Sequence, residues 1–296
     1  MSAPWSSFDV ALVTSQDNPH CEPDENLLLP ALAARGLKAG PVVWSDASVD
    51  WGRFAVAFIR TAWDTDLRRD EFVAWADRAG ARTRLWNPPG LLRWNTHKSY
   101  LRDLAERGIP TVPTAWLERG SKVDLAGVLK ARGWTDAVVK PAVSAGARDT
   151  VRVRRPEDLP AAQALVDRLL PHKDFMVQPY VPTVDGYGER SFLFIDGEFT
   201  HAARKLPALA TEGYDPTRTD PVGATEEELA FGRKVLAAAP FPLLYARVDA
   251  VPDEHGRLQL MELEATEPNL FLRHGPKAVE RYAAMVEREA GRASAR

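Results

Sequence analysis

Residues 245–269 read YARVDAVPDEHGRLQLMELEATEPN, and the fold turns on how this stretch pairs with itself. Residues 243–251 and 257–265 have the apolar character of strands, and Asp253-Glu254-His255-Gly256 between them closes a β-hairpin. On the second strand, alternation puts Leu258, Leu260, Glu262 and Glu264 on one face, and Gln259, Met261, Leu263 and Ala265 on the other. With Pro252 and Arg257 flanking the turn, Arg247 is expected opposite Glu262 and Asp249 opposite Leu260. Asp249, Glu262 and Glu264 then converge on one patch. Same-face carboxylates on a strand lie about 7 Å apart, a span that a metal ion or ion pair bridges and that is costly to bury bare. Hard oxygen ligands of this kind suit Mg²⁺, which takes one or two carboxylates together with substrate phosphates. Solvated acids on an edge strand would read similarly. The strands are otherwise apolar and the acids are concentrated on them, which favours the ligand set.

Composition bounds the rest. A length of 296 residues corresponds to about two domains of ordinary size. Hydrophobic residues at 45% and charged residues at 27% supply enough apolar material for more than one core in a soluble protein. A formal net charge of -3 gives no electrostatic case for a nucleic-acid partner. The single cysteine, Cys21, excludes an internal disulfide framework and fits a reducing compartment. The opening MSAPWSSFDVALV lacks a basic n-region, and no apolar run approaches the ~18 residues of a membrane span. A cytoplasmic protein without a membrane partner is expected.

Along the chain, residues 9–14 (DVALVT) read as a buried parallel strand and residues 26–35 as a helix ended by Gly36. Residues 42–44 and 54–60 are further strands, and residues 69–79 a helix closed by Gly80. This alternation implies a Rossmann-like α/β unit, without the G-x-G-x-x-G turn of a dinucleotide site. Ligands in such sheets sit beyond the carboxyl ends of strands, which singles out residues 15–24 and 60–64. In the first loop, His20, Cys21 and Glu22 are read as a polar lead-in to a helix capped by Asp24 rather than as a metal cluster. In the second, Arg60, Trp63 and Asp64 combine a guanidinium, a flat ring and a carboxylate. Together they would grip a zwitterionic substrate or anchor the loop.

Residues 87–101 (NPPGLLRWNTHKSYL) mark a boundary: a Pro-Pro-Gly turn ends one unit and a helix carrying Lys98 opens the next. Strand 114–117 and a helix near 125–132 precede AVVKPAVSAGARDTVRV at 137–153. There Lys140 ends a buried strand beside the small-residue loop 144–147, the pattern of a phosphate clamp, although many hairpins share it. FMVQPYV at 175–181 is a strand with an internal proline, hence an edge or a linker. Residues 190–195 and 198–203 pair through Asp196-Gly197, followed by Arg204-Lys205-Leu206-Pro207. Residues 207–225 are rich in Gly and Pro and read as a mobile loop at the site mouth.

Lys98, KPAVSAGA, VQPYV, GERSFLFIDGEF, ARKLP and D…MELE, in this order, resemble the ATP-grasp superfamily in its glutathione-synthetase-like branch. IRTAWD, NPPGLLRWNTHKSYL and MELEATEPNLFL are similar to the O-ureidoserine cyclo-ligases of cycloserine biosynthesis. The resemblance covers about two-thirds of the chain, preceded by an α/β unit like the pre-ATP-grasp domain. It implies an α/β fold, α+β in part: a pre-ATP-grasp Rossmann-like domain at 1–95, then a two-lobed ATP-grasp module at 96–181 and 182–291. It further implies an ADP-forming, ATP-dependent carboxylate–amine ligase working through an acyl phosphate and cyclising a small amino acid such as O-ureidoserine. Intermolecular amino-acid or peptide ligation and non-catalytic nucleotide binding are the alternatives, and homo-oligomers stay open.

The same resemblance assigns residues. Lys98 and Lys140 would bind the nucleotide phosphates, with Ser144 and Gly146 in a lid over them. Gln178, Tyr180 and Val181 would form the adenine hinge, and Glu189 would contact the ribose. Asp249, Glu262 and Glu264 would hold Mg²⁺, as one or two ions with Mn²⁺ as a substitute. Glu264 stands where family members usually carry asparagine. Arg190 and Arg204 would stabilise the transferring phosphoryl group and the acyl phosphate, the alternative for each being a surface ion pair.

Overall fold

The computed structural model describes residues 4–205 and 218–294, which build three sheets. The first sheet comes from β1 (Val10–Thr14), α1 (Glu25–Ala34), β2 (Ala39–Val43), β3 (Val56–Thr61), α2 (Arg69–Gly80) and β4 (Arg84–Trp86). Its order is β2-β1-β3-β4, all parallel. β1 and β3 are buried along their whole length, as central parallel strands covered on both faces must be. Asp24 sits at the N-cap of α1, but its carboxylate does not cap the helix. Instead it accepts the Leu272 amide at 3.2 Å.

Two short helices, α3 (Pro89–Asn95) and α4 (Tyr100–Glu106), lead out of this unit. Lys98 lies in the turn between them rather than on a helix. The second sheet comprises β5 (Ala115–Leu117), β6 (Ala137–Pro141), β7 (Val151–Val153) and β8 (Phe175–Pro179), backed by α5 (Leu125–Arg132) and α6 (Leu159–Leu169). Its order β5-β8-β6-β7 makes β8 an interior strand, not the edge or linker its proline suggested. Pro179 is the last residue of β8, so its missing N–H interrupts no interior rung.

After the short helix α7 (Val184–Tyr187) comes the third sheet, from β9 (Glu189–Ile195), β10 (Glu198–Lys205), β11 (Thr219–Val222), β12 (Tyr245–Pro252) and β13 (Leu258–Glu264). It is antiparallel, in the order β11-β10-β9-β12-β13. The β9–β10 turn has positive φ at Asp196 and Gly197, the type I′ geometry an Asp-Gly pair favours. Of the expected mobile loop at 207–225, residues 207–217 lie outside the described residues, whereas Thr219–Val222 pair with β10 as a strand. α8 (Glu226–Ala238) and the amphipathic α9 (Pro276–Ser294) complete the chain. α9 places Ala278, Tyr282, Met285 and Val286 in one core with Val10, Phe58, Leu193 and Ile195, joining the first and third sheets.

The β12–β13 register differs from the expected one. Arg247 pairs with Glu264 and Asp249 with Glu262, because the turn takes one more residue and a bulge opposite Asp249/Ala250 takes another. Two one-residue shifts restore the parity near the acids, so Glu262 and Glu264 keep a common face. Below the bulge the parity reverses: Leu258 and Leu260 pack in one core with Leu263 and Ala265, away from the acids.

β13 is an edge strand, and its outer backbone is bonded throughout. The Leu260 amide donates to Pro110 O (2.8 Å), the Leu263 amide to the Tyr100 hydroxyl (3.0 Å) and the Ala265 amide to Asn95 Oδ1 (2.8 Å). Asn95 Nδ2 donates to Leu263 O (2.7 Å) and Asn87 Nδ2 to Ala265 O (2.7 Å). The fully buried Asn87 also donates to Tyr245 O (3.0 Å) and accepts the Leu244 amide (2.9 Å). Asn87→Ala strands these backbone groups, at about 1–3 kcal/mol apiece. We expect its melting temperature to drop by at least about 5 °C in a thermal scan, and an unchanged melt would show that the clamp contributes nothing.

Candidate active site

The three sheets enclose a cavity of about 740 Å³. Lys140 reaches it from the end of β6, Lys98 from the turn before α4, and residues 143–148 arch beside both. Lys98 Nζ donates to Ser144 O at 2.8 Å, which holds the arch, and the Lys98 amide donates to Ala142 O at 2.8 Å. Gly146 and Ala147 adopt left-handed φ values of 58° and 59°, which curls the arch. Both ammonium groups converge on Glu262, Lys98 at 3.6 Å and Lys140 at 3.4 Å. Burial opposes ionisation of Glu262, but Lys98 and Lys140 outweigh it and hold its pKa at about 2. Burial pulls the Lys140 ammonium down from its ordinary value, against the attraction of Glu262.

Gln178, Tyr180 and Val181, the expected hinge, line the cavity, as do Ser144, Gly146 and Glu189. Gln178 Nε2 donates to the Thr114 hydroxyl (3.0 Å), and the Tyr180 amide is already given to Asp136 O (2.9 Å). Arg152 stacks over the Tyr180 ring at 3.3 Å and pairs with Asp136, stiffening this wall. Glu189 is ion-paired with Lys205.

The three acids of the hairpin do not act alike. Glu262 and Glu264 line the cavity, Glu264 paired with Arg247. Asp249 is fully buried behind them, accepting from Ser191 Oγ (2.6 Å), Lys205 Nζ (2.7 Å) and Arg247 (2.9 Å). Burial raises its pKa, but Arg247 and Lys205 reverse this and keep it well below the carboxylate range. Its oxygens are engaged by protein donors, and of the three expected ligands it is the one that does not line the cavity. Among the described residues no group of three or more acidic, histidine or cysteine side chains is arranged around a metal position.

The expected substrate triad also divides. Trp63 lines the cavity and donates Nε1 to Glu267 O at 3.1 Å. Arg60 is only 1% exposed and lies between Glu25 (2.9 Å) and Asp24 (4.0 Å), over the Tyr282 ring. Asp64 accepts from Trp44 Nε1 (2.8 Å) and Arg68 (3.3 Å). Neither Arg60 nor Asp64 lines the cavity; Thr65 and Asp66 do. Arg190 pairs with Glu228 (2.8 Å) over the Tyr187 ring, and Arg204 donates to Tyr187 O (3.0 Å) and Gly186 O (2.8 Å). Both arginines lie off the cavity. Lys205, one residue along β10 from Arg204 and so on its opposite face, lines it, together with Arg247.

The profile described as D-cycloserine synthetase DcsG, N-terminal domain, matches residues 10–87. Cycloserine biosynthesis protein DcsG of Streptomyces lavendulae is 34% identical over 294 residues, which span 94% of this chain and 98% of that protein. The chain belongs to the D-cycloserine synthetase family. The crystal structure of D-cycloserine synthetase DcsG superposes with a TM-score of 0.87 at 32% identity, over 95% of this chain and 99% of that one. The ATP-grasp ligase PsnB, solved with minimal precursor, Mg and ADP, shares the fold at a TM-score of 0.63 and 16% identity, over 96% of this chain and 98% of that one. The architecture is thus that of an ATP-grasp ligase, and membership of the family makes ATP-dependent carboxylate–amine ligation its activity class. Among the described residues no helix is long and apolar enough to cross a membrane.

Glu267, just beyond β13, was not singled out by its sequence. It accepts the Thr65 hydroxyl at 2.8 Å, and burial, with Glu264 adding to it, raises its pKa from the usual 4.5 to about 8. Between these two values the folded chain binds a proton that the unfolded chain has released. The Glu267 contribution is therefore greatest below about pH 4.5 and is lost as the pH rises through 8. Glu267→Gln should gain melting temperature relative to wild type progressively from pH 5 to 8. A mutant–wild-type difference that stays flat across this window would contradict the burial of an uncompensated carboxyl.

Proposed function

We propose that this ligase activates the carboxylate of a small amino acid and closes a nitrogen of the same molecule onto it, with O-ureidoserine as the substrate type. The observation that supports this best is one enclosed volume whose walls differ. Lys98, Lys140 and the 143–148 arch supply one part of the lining, Trp63, Thr65 and Asp66 from the first sheet another, and Glu262, held by both lysines, and Glu264 a third. The units that bring these walls together are 1–95, 96–181 and 182–291, with α9 reaching back across the first.

Lys98 and Lys140 bind the terminal phosphates of ATP as point charges, and the arch amides approach the phosphate oxygens. The hinge at 178–181 receives the base, and Glu189 the ribose. Glu262 and Glu264 fit a hard cation: both face the cavity, and Glu262 is ionised at any physiological pH. They would hold Mg²⁺, which when bound neutralises phosphate oxygens; one ion suffices for these two carboxylates. An oxygen of the substrate carboxylate takes the terminal phosphoryl group, releasing ADP and forming an acyl phosphate. The substrate nitrogen attacks the acyl carbon, phosphate leaves, and the nitrogen gives up a proton. Lys205 and Arg247 line the cavity and Arg190 and Arg204 do not, which supports the first pair as the cations that would stabilise charge on the transferring group. Holding the nitrogen in line supplies an effective molarity of up to about 10⁵–10⁸ M, which makes a second amine site unnecessary.

Mg-ATP at 100 times its dissociation constant should stabilise the protein by about 2.7 kcal/mol, read as a rise in melting temperature. Turnover should release ADP with O-ureidoserine as the sole amino acid, and mass spectrometry should find the cyclised product. A requirement for a second amine, with a linear amide as product, would replace cyclisation by intermolecular ligation. Glu262→Gln should keep the fold and lose about 100-fold or more in turnover, whereas AMP as the stoichiometric product would contradict the mechanism.

A further inference from the structure

The charges lining the cavity form a nearly complete set of pairs. Glu262 faces Lys98 and Lys140, Glu264 faces Arg247, Glu189 faces Lys205, and Asp66 faces Arg148 at 3.1 Å. Among the described residues, Glu267 is the cavity acid for which no basic side chain lies within ion-pair distance. Its Oε1 takes the Thr65 hydroxyl, and its Oε2 is enclosed without a hydrogen-bond partner. Asp66, 8% exposed, is similar: Arg148 engages Oδ2, and Oδ1 is enclosed and unpartnered. The two orphan oxygens come from different sheets, Asp66 from the segment after β3 and Glu267 from the segment after β13. A buried carboxylate oxygen without a donor is costly, and the donor that relieves two of them is a cation with several N–H groups.

We propose that Asp66 and Glu267 form the subsite for the α-ammonium group of the amino acid whose carboxylate is activated. The assignment rests on the ligase reading above and deepens it, fixing which end of the substrate meets the first sheet. An ammonium carries three donors and no acceptor, so it has an N–H for each of the two oxygens. Mg²⁺ fits less well, because it demands a near-octahedral set of oxygen ligands, whereas an ammonium needs only acceptors for its N–H groups. Position agrees as well: the α-ammonium shares a carbon with the activated carboxylate, so its subsite must adjoin the acids of β13, and Glu267 follows Glu264 by three residues, at most about 10 Å of chain. Burial, with Glu264 and Asp66 adding to it, raises the pKa of Glu267 against the pull of the Thr65 hydroxyl and Lys98; the substrate supplies a nearer cation. Trp63, bonded to the Glu267 carbonyl, holds the segment in place.

The test compares O-ureidoserine with its analogue carrying hydrogen in place of the α-ammonium. Both are assayed for Mg-ATP-dependent ADP release by wild type, Glu267→Gln and Asp66→Asn. Wild type should prefer the ammonium-bearing substrate by at least about tenfold in kcat/KM, and each variant should lose most of that preference through KM for O-ureidoserine. The variants should keep the Mg-ATP melting shift, which shows that the nucleotide half is intact. Equal handling of the two compounds by wild type overturns the subsite without any variant, so a misfolded mutant cannot shield it. A Gln variant that keeps the wild-type preference overturns it too. A wild type that shows the Mg-ATP shift while failing either comparison loses the subsite alone. Absence of that shift takes down the ligase reading and the subsite with it.

Discussion

Everything at this site hangs on an edge strand whose free side has been occupied. An exposed edge would leave the backbone of β13 to water and its register to slippage. Here Pro110, Tyr100, Asn95 and Asn87 take the amides of Leu260, Leu263 and Ala265 and the carbonyls of Leu263 and Ala265. Three of these partners are side chains from the segment joining the first sheet to the second. The strand bearing Glu262 and Glu264 is therefore positioned by the connection between units as much as by its own sheet. NPPGLLRWNTHKSYL supplies two asparagines, a tyrosine and Lys98, so the segment that clamps the carboxylate strand also carries one of its two ammonium partners.

The clamp makes a dense charge array tolerable. Bare burial of any one of these ions would cost several kcal/mol, and the attraction of a well-placed partner is what offsets it. Asp249 shows the logic most clearly: it faces no cavity, yet it fixes Arg247 and Lys205, which do. Its part is to hold two cations at the wall. Mutating it would release both cations at once, so a loss of activity there would say nothing about metal ligation.

Much of this was legible in sequence because its signals are local. Asp-Gly turns, alternation on β13, Lys140 at a strand end and the small-residue arch all specify geometry within a few residues. What failed were inferences needing a second element. Arg60 sits at the carboxyl end of β3, as the strand-end rule requires, but β3 is covered on both faces, and the guanidinium goes to Glu25 of α1. The Arg204–Lys205 choice was one of parity, and nothing in ARKLP says which face of β10 looks inward. The hairpin register erred twice by one residue, at the turn and at the bulge. The acids kept their common face because the errors cancelled there, while Leu258 and Leu260, beyond the bulge, did not. Asp66 and Glu267 carry no motif of their own, since what marks each is one enclosed oxygen without a donor, visible only once the other contacts have been assigned.

Apolar packing is distributed unevenly among the three sheets. α9 merges the first and third sheets into one core, and the Tyr245 hydroxyl, donating to Ile59 O at 2.9 Å and Trp86 O at 2.8 Å, ties β12 to β3 and β4. The second sheet keeps a hydrophobic core of its own, contributing Met176 and Trp116 to its neighbour. What otherwise crosses from it to the rest is polar: Lys140 to Glu262, Arg148 to Asp66, and His97 to Asp174 at 3.1 Å. Polar contacts across a water-accessible seam exchange readily with solvent, whereas a shared apolar core does not. The second sheet, which carries Lys140 and the arch, is thus joined to the rest by less shared apolar packing than the first and third sheets are to each other. Asp66, Glu267 and the carboxylate strand belong with the body that α9 and Tyr245 hold together, and the arch touches them through the Arg148–Asp66 ion pair.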